Sequence, residues 1–426
     1  MRLFIYANFL GVAWAGILNN QRQVLFEDEQ DSILNQLFGE VLTPHVEGEI
    51  QDLSVGKKKY VLDDSETEEF RAQCGFYENH RISYPDDSFL SDIQLFSGIV
   101  TFAHVPMEQC FKSKDAENAP NYDIAILGAP FDTSVSYRPG ARFGPNSIRQ
   151  GSRRLGQGVL PVRGFPGSKL RTLDPYNAGY KIVDCGDVPM TPFDNRLALN
   201  ALYRGERAVY KQSTNRTDLK VPKVITLGGD HTITLMALRA AYEHHGQMAV
   251  IHFDSHIDTW DPKVLGGGIT KTQSINHGTF LHFAHEWGYI RDDKSLHVGL
   301  RAPYFDLYDE KHDRECGFDK IVARDFDLLN FKEIVKTIKD RVGDLPIYLT
   351  IDIDVLDLAF APGTGTPEPG GLTSRELLTV LDGLEGLNIV GADVVEVAPA
   401  FDSNGEITSI VAAQVIDSIL GLMVVS

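Results

Sequence analysis

Apolar residues in this chain gather into short unbroken runs. The runs at 124–127, 224–227, 249–253, 347–351 and 389–391 are each of strand length. Stretches that read as helices lie between them, at 198–210, 232–245, 331–342 and 374–384. Strands that are apolar throughout, rather than alternating, are buried on both faces, which is the habit of a parallel sheet. Strand and helix in regular alternation predict a layered α/β fold around a mainly parallel central sheet. Thr373 offers a capping hydroxyl ahead of Glu376, a helix-start signal. No internal repeat or low-complexity linker divides the pattern after residue 89. One domain over 89–426 is therefore expected.

Before residue 89 the pattern is different. Residues 16–88 are uneven and acidic, with Lys57-Lys58-Lys59 followed by Asp63 and Asp64. They read as an N-terminal extension with one or two short helices. Residues 1–15 read as a signal peptide: Arg2 gives the positive start, an apolar run follows, and Ala13-Trp14-Ala15 fits small-x-small cleavage. The expectation is a secreted protein or one of the secretory pathway. No later stretch reads as membrane-spanning, so the mature form is expected off the membrane. The last residues, 421–426, read as a final strand or core-facing tail.

Composition adds little to the fold and something to the partners. The 426 residues carry a net charge of -19. Such a surface repels nucleic acid and anionic lipid and draws small cations. Four cysteines, Cys74, Cys110, Cys185 and Cys316, allow three full pairings. Cys74–Cys110 is a plausible bridge, and Cys185, behind an apolar run, reads as a buried free thiol. Asn215-Arg216-Thr217 is the one glycosylation sequon.

Chemistry concentrates where the apolar runs end. Gly228-Gly229-Asp230-His231 follows one run, Asp254-Ser255-His256-Ile257-Asp258 another, and Asp352-Ile353-Asp354 a third. In open parallel sheets, sites form beyond the carboxyl ends of strands. An extended backbone sends side chains two apart to the same side, so Asp254, His256 and Asp258 can converge, as can Asp352 and Asp354. Gly228 and Gly229 suit close packing and unusual dihedrals beside His231. A single Asp-x-Asp is usually a solvated turn, and a lone histidine beside a strand is usually a packed core residue. Several carboxylates at apolar strand ends are another matter, because buried carboxylates are costly unless paired or metal-bound. His231, Asp254, His256, Asp258, Asp352 and Asp354 form a ligand set for two divalent metals. Four carboxylates and two imidazoles without thiolate suit manganese, although affinity order alone favours nickel or zinc. A metal pair activates water, and so points to hydrolysis.

These motifs resemble the ureohydrolases: arginase, agmatinase and guanidinobutyrase. The resemblance spans about 89–426 and includes Asp352 to Pro367, with Ala361-Pro362-Gly363-Thr364-Gly365-Thr366-Pro367. It implies a three-layer α/β/α fold, two Mn2+ ions per chain, and release of urea from a small cationic guanidino substrate. It assigns one metal to His231, Asp254, Asp258 and Asp352, and the other to Asp254, His256, Asp352 and Asp354. It makes Glu396 the grip on the guanidinium, His277 a proton shuttle or guanidinium contact, and Asp258 a proton relay. His282 and His285 read as helix-surface or packing residues. Trp260 stands where arginases usually place an asparagine, and an indole cannot accept a hydrogen bond in its place. Its ring suits an apolar or cationic tail. Arg138 and Arg142 read as structural loop residues. Agmatine is the favoured substrate, guanidinobutyrate the close rival and arginine third. A non-catalytic guanidino-binding homologue and a one-zinc amide hydrolase are the competing classes. The family also implies a homo-oligomer, a trimer or hexamer.

Overall fold

The structure, a computed structural model, describes residues 99–425 apart from 117, 157–162 and 267–269. The leader, the whole N-terminal extension and Cys74 lie outside these residues. Eight strands form one sheet in which every pairing is parallel. They are β1 Ile124–Ala129, β2 Ile182–Asp187, β3 Lys223–Gly228, β4 Ala249–Phe253, β5 Ser295–Leu300, β6 Phe318–Val322, β7 Ile347–Asp352 and β8 Ile389–Val395. Their order across the sheet is β2-β1-β3-β8-β7-β4-β5-β6.

The helices are α1 Gly144–Gly151, α2 Asn195–Tyr210, α3 Ile233–His245, α4 Lys271–Ser274, α5 Phe280–Glu286, α6 Leu307–Glu315, α7 Phe331–Val342, α8 Ser374–Gly383 and α9 Ile407–Val425. Handedness sorts most of them. Parallel crossovers are right-handed, so the face a helix occupies follows from the direction of the step between strands. Steps β1 to β2, β6 to β7 and β7 to β8 run one way along the sheet and place α1, α7 and α8 together. The steps from β2 through β6 run the other way and place α2, α3, α5 and α6 opposite. The packing agrees: α9 lies on α1 and α8, while α3 lies on α2 and α5. This is the expected three-layer α/β/α arrangement.

Each of the five expected strands exists, most of them one or a few residues longer than the apolar run. Three further strands were not legible as runs. Asp184 interrupts β2, His297 and Gly299 interrupt β5, and β6 is a half-exposed edge strand of mixed composition. The C-terminal tail is not a strand but the end of α9, a 19-residue helix. By length and composition α9 could cross a membrane, contrary to the reading that no later stretch could. It is instead sheathed by protein, with 83% of its most apolar window buried. Polarity inside it is paired: Asp417 bonds Arg163 and the Tyr176 hydroxyl.

The cysteine reading is also corrected. Cys185 is bonded to Cys110, and Cys316 is the buried free thiol. The cause is local. Residues 106–108 run beside β2, with Asp184 N–H donating to Pro106 O and Glu108 N–H to Asp184 O, both at 2.9 Å. That short parallel bridge brings the two Cα atoms to 5.4 Å, within bridging range.

Candidate metal centre

Four neighbouring strands, β3, β8, β7 and β4, deliver all the expected site residues but His277. Register does the first alignment. Phe253 pairs with Ile351, and Ile351 with Val394. Asp254, Asp352 and Val395 therefore stand level across three strands, with Glu396 one step beyond. Convergence beyond that level comes from turns rather than from extended backbone. Asp254 Oδ1 accepts the His256 N–H at 2.6 Å, and Asp352 Oδ1 accepts the Asp354 N–H at 2.7 Å. Each aspartate thus folds its own chain over two residues, as Asp side chains do in turns. Asp258 and Glu396 complete the bends with φ of 51° and 61°. Left-handed backbone is costly for residues with a Cβ and collects at functional sites.

His231 sits past Gly228 and Gly229, whose roles are close approach alone. Neither is left-handed. A Cβ on Gly229 would lie 2.4 Å from Phe131 O, and one on Gly228 2.5 Å from Val395 Cγ1. Asp230 is not among the donors and accepts N–H bonds from Ser134 and Thr232.

The six proposed ligands come together. His231 Nδ1 lies 3.1 Å from Asp254 Oδ2, 3.1 Å from Asp258 Oδ2 and 3.4 Å from Asp352 Oδ2. His256 Nδ1 lies 3.3 Å from Asp254 Oδ1 and 3.1 Å from Asp354 Oδ2. Asp254 thus belongs to two adjoining groups of donors. His231 Nδ1 and Asp254 Oδ2 are buried and lack hydrogen-bond partners. Converging donor atoms with no hydrogen bonds to satisfy them fit a cation. Crowding says the same. Burial and the Asp254 charge push the Asp258 carboxyl up to about 6. Burial, Asp354 and Asp254 push Asp352 well above the carboxylate range.

Two supporting layers were not found by sequence reasoning. His231 Nε2 is 2.7 Å from Thr350 Oγ1, and Thr350 donates to Asp393. A hydroxyl that gives its proton to a carboxylate accepts from the imidazole. The Nε2 tautomer is fixed in this way and the Nδ1 lone pair faces the donor cluster. His252, inside β4, puts Nε2 at 3.0 Å from Asp254 Oδ2. Its Nδ1 is 2.7 Å from His297 Nδ1, and His297 Nε2 is 2.9 Å from Asp313 Oδ1. The available signal was an imidazole within a run that otherwise reads as core.

Glu396 enters from β8. Its Oε1 accepts the His231 N–H at 3.0 Å and lies 3.2 Å from His277 Nδ1. Its Oε2 is buried without a partner. His277 Nε2 accepts the Ser136 N–H at 3.0 Å, so Nδ1 carries the proton toward Glu396. Burial lowers the His277 pKa, but Glu396, Asp258 and Asp230 outweigh it and the net direction is upward.

Known proteins resemble this chain in sequence and fold. The arginase family model matches residues 122–421. The chain belongs to the arginase family. A Schizosaccharomyces pombe protein named "Putative agmatinase 1" is 45% identical, over 80% of this chain and 86% of its own. Proclavaminate amidino hydrolase from Streptomyces clavuligerus has a solved structure with a TM-score of 0.66 and 34% identity, covering 78% of this chain and 99% of its own. A hypothetical agmatinase from Burkholderia thailandensis gives a TM-score of 0.62 and 32% identity, over 78% of this chain and 91% of its own. The protein is thus an enzyme of the arginase/agmatinase ureohydrolase kind, and that family is metal-dependent.

In this arginase-family chain the cluster opens through a cavity of about 110 Å³. Asp258, Asp352 and His277 line its base, and Trp260, Leu265 and Phe305 its walls. Trp260 is held by its Nε1–H, which donates to buried Asp309 at 3.1 Å. Its ring lies 5.8 Å from Phe305, and Gly278 makes room, since a Cβ there would be 3.0 Å from the indole. Arg142 pairs with Asp132, and Arg138 stacks on Tyr137 and Phe401, so both act as loop structure. A larger cleft, about 310 Å³, is lined by Glu310, which pairs with both Arg314 and Lys320, and contains none of the six ligands, His277, Glu396 or Trp260.

Proposed function

We propose that this enzyme hydrolyses agmatine to putrescine and urea, using two manganese ions. One ion is assigned to His231, Asp254, Asp258 and Asp352, the other to Asp254, His256, Asp352 and Asp354. Hard carboxylate and imidazole donors without thiolate support manganese. When bound, the metal pair supplies Lewis acidity that makes water a nucleophile at neutral pH.

The observation that carries the reading is Glu396. Its Oε1 is occupied while its Oε2 is buried and unpartnered beside the donor cluster. A guanidinium is the cation whose planar N–H pair suits a carboxylate, through charge-assisted hydrogen bonds. Glu396 holds the substrate, and Asp258 passes a proton to the departing amine. His277 connects the site to Ser136, an exposed residue, and so offers a proton path to solvent. Trp260 and Phe305 give the tail an aromatic wall that suits an ammonium. Among the described residues no arginine or lysine lines the cavity, which disfavours a carboxylate tail.

Export to an oxidising compartment is part of the proposal, supported by the leader-like N-terminus and the Cys110–Cys185 bridge. So is self-association as a trimer or hexamer, for which exposed Phe193, Leu307 and Leu328 supply apolar surface. The deciding experiment supplies manganese and measures urea from agmatine, guanidinobutyrate, arginine and guanidinopropionate. Agmatine should have the highest kcat/KM. Glu396→Ala should keep its metal and lose turnover. Metal loss in that variant, or no urea from any compound, would overturn the assignment.

A further inference from the structure

We propose that the protein holds a zinc ion outside the manganese centre, on His282, His312 and Cys316. His282 lies on α5. His312 lies near the end of α6, and Cys316 caps that helix. Their four-residue spacing puts both on one helix face. Three donors from two helices therefore meet at one point.

The distances are those of a metal site. His282 Nδ1 is 3.0 Å from His312 Nε2, and Cys316 Sγ is 3.7 Å from the same nitrogen. All three donors lie within 4.8 Å of one another. Zinc bonds of about 2.0–2.1 Å to nitrogen and about 2.3 Å to sulfur give tetrahedral edges of about 3.3 Å (N···N) and about 3.6 Å (N···S). The His282–His312 and His312–Cys316 separations depart from their edges by a few tenths of an ångström at most, and the His282–Cys316 pair lies within 4.8 Å. Three protein ligands leave the fourth position to water.

The surroundings suit the role. Cys316 is buried, and it is the one free cysteine among the described residues. Both imidazoles are half-buried, which leaves an approach from solvent. The second nitrogen of His282, Nε2, lies 3.7 Å from Glu286 Oε2, an ion-pair distance rather than a hydrogen bond. The His312 ring stacks on Tyr308 at 5.6 Å. One thiolate and two imidazoles select zinc over manganese, because manganese favours oxygen donors. Binding releases the Cys316 thiol proton to solvent and forms the sulfur–zinc bond with the thiolate.

The site bears on the active centre through α6. That helix holds three consecutive residues of the loop after the Asp258 ligand. Thr259 Oγ1–H donates to Asp313 at 2.6 Å, Trp260 Nε1–H to Asp309 at 3.1 Å, and the Tyr308 hydroxyl to Asp261 at 3.0 Å. Zinc joining α5 to α6 stiffens the frame under Asp258 and Trp260.

The test uses the full-length manganese-loaded protein, dialysed against zinc chloride and then against buffer, with both metals counted by mass spectrometry. The wild type should retain one zinc per chain beyond whatever zinc exchanges into the manganese centre. Cys316→Ser and His312→Ala should each lose the zinc and keep the manganese, while Asp254→Ala should keep the zinc. Cobalt(II) in place of zinc reads the wild-type chain directly: a near-ultraviolet thiolate-to-cobalt band should appear, and alkylated protein should lack it. No retained zinc, zinc retained equally in Cys316→Ser, or no thiolate band would overturn the site.

Discussion

Two buried aspartates at the sheet, Asp184 on β2 and Asp254 after β4, are both fully enclosed, yet they are satisfied in opposite ways. Asp184 carries its counter-charge within the chain. Arg149 bonds it through Nε at 2.8 Å and Nη2 at 2.9 Å, and the Phe102 and Gly186 N–H groups supply the rest. Among the described residues Asp254 meets three imidazoles and no arginine or lysine, and its Oδ2 has no hydrogen bond. A buried carboxylate needs a positive partner or a proton. Where the chain builds the partner in, the group is structural. Where the chain gathers carboxylates and withholds the partner, it has left a place for a cation from outside.

The largest expected effect tests the second aspartate. Asp254 stands in both donor groups, so Asp254→Ala should remove both metals together. Activity should fall by more than the roughly 100-fold typical of losing a mere outer partner of a ligand. Metal analysis and urea release measure both. Retained metal at either group would break the idea that Asp254 is shared.

Arg149→Met tests the first aspartate and should strike stability instead. Removing one partner of a buried ion pair costs about 3–5 kcal/mol, because the other charge is left stranded. Denaturant unfolding should show that loss, while the folded fraction keeps its manganese and its kcat. If metal content falls with Arg149, the two aspartates are not independent.

Chelation sharpens the contrast. A ligand that binds only the native state stabilises it by about 4 kcal/mol at a thousandfold excess over Kd. Removing metal with EDTA should lower the unfolding midpoint of the wild type by much more than that of Asp254→Ala, which has only the α5–α6 zinc left to lose. An equal drop in both would mean that the stabilising metal lies elsewhere.

The contrast explains what was legible in the sequence. Asp254, Asp258, Asp352 and Asp354 are visible because each interrupts or ends an apolar run, and two-residue spacing repeats on two strands. The central strands are visible because burial on both faces leaves them apolar. Asp184 hid β2 for the same reason: a structural ion pair, whose arginine lies 35 residues away, breaks the run that would have revealed the strand. His252 and His297 are invisible as a pair, since only the register of β4 with β5 makes them neighbours. The Cys110–Cys185 bridge depends on a short parallel bridge between residues 106–108 and β2, and no local pattern announces it. Turn-driven convergence was likewise hidden, because i and i+2 positions agree for an extended chain and for an Asp turn.

Glu206 supplies the third way to bury a carboxyl, and the smallest expected effect. On α2 it is 1% exposed, has no cation beside it among the described residues, and accepts the Thr226 hydroxyl at 2.6 Å. Burial, with a contribution from Asp393, raises it from its ordinary 4.5 to about 7, so the neutral acid is the favoured form. A pKa raised on folding gives stability that is complete below the unfolded value and disappears as pH climbs through the folded one. The loss should therefore run from about pH 4.5 to about pH 7 and reach at most roughly 3 kcal/mol, at 1.36 kcal/mol for each pH unit between the two values. Glu206→Gln keeps an acceptor for Thr226 and cannot ionise. Its stability relative to the wild type should rise between pH 5 and pH 8. A difference that stays flat would mean that Glu206 is already ionised and paired, and the proton would drop out as an alternative to arginine and metal.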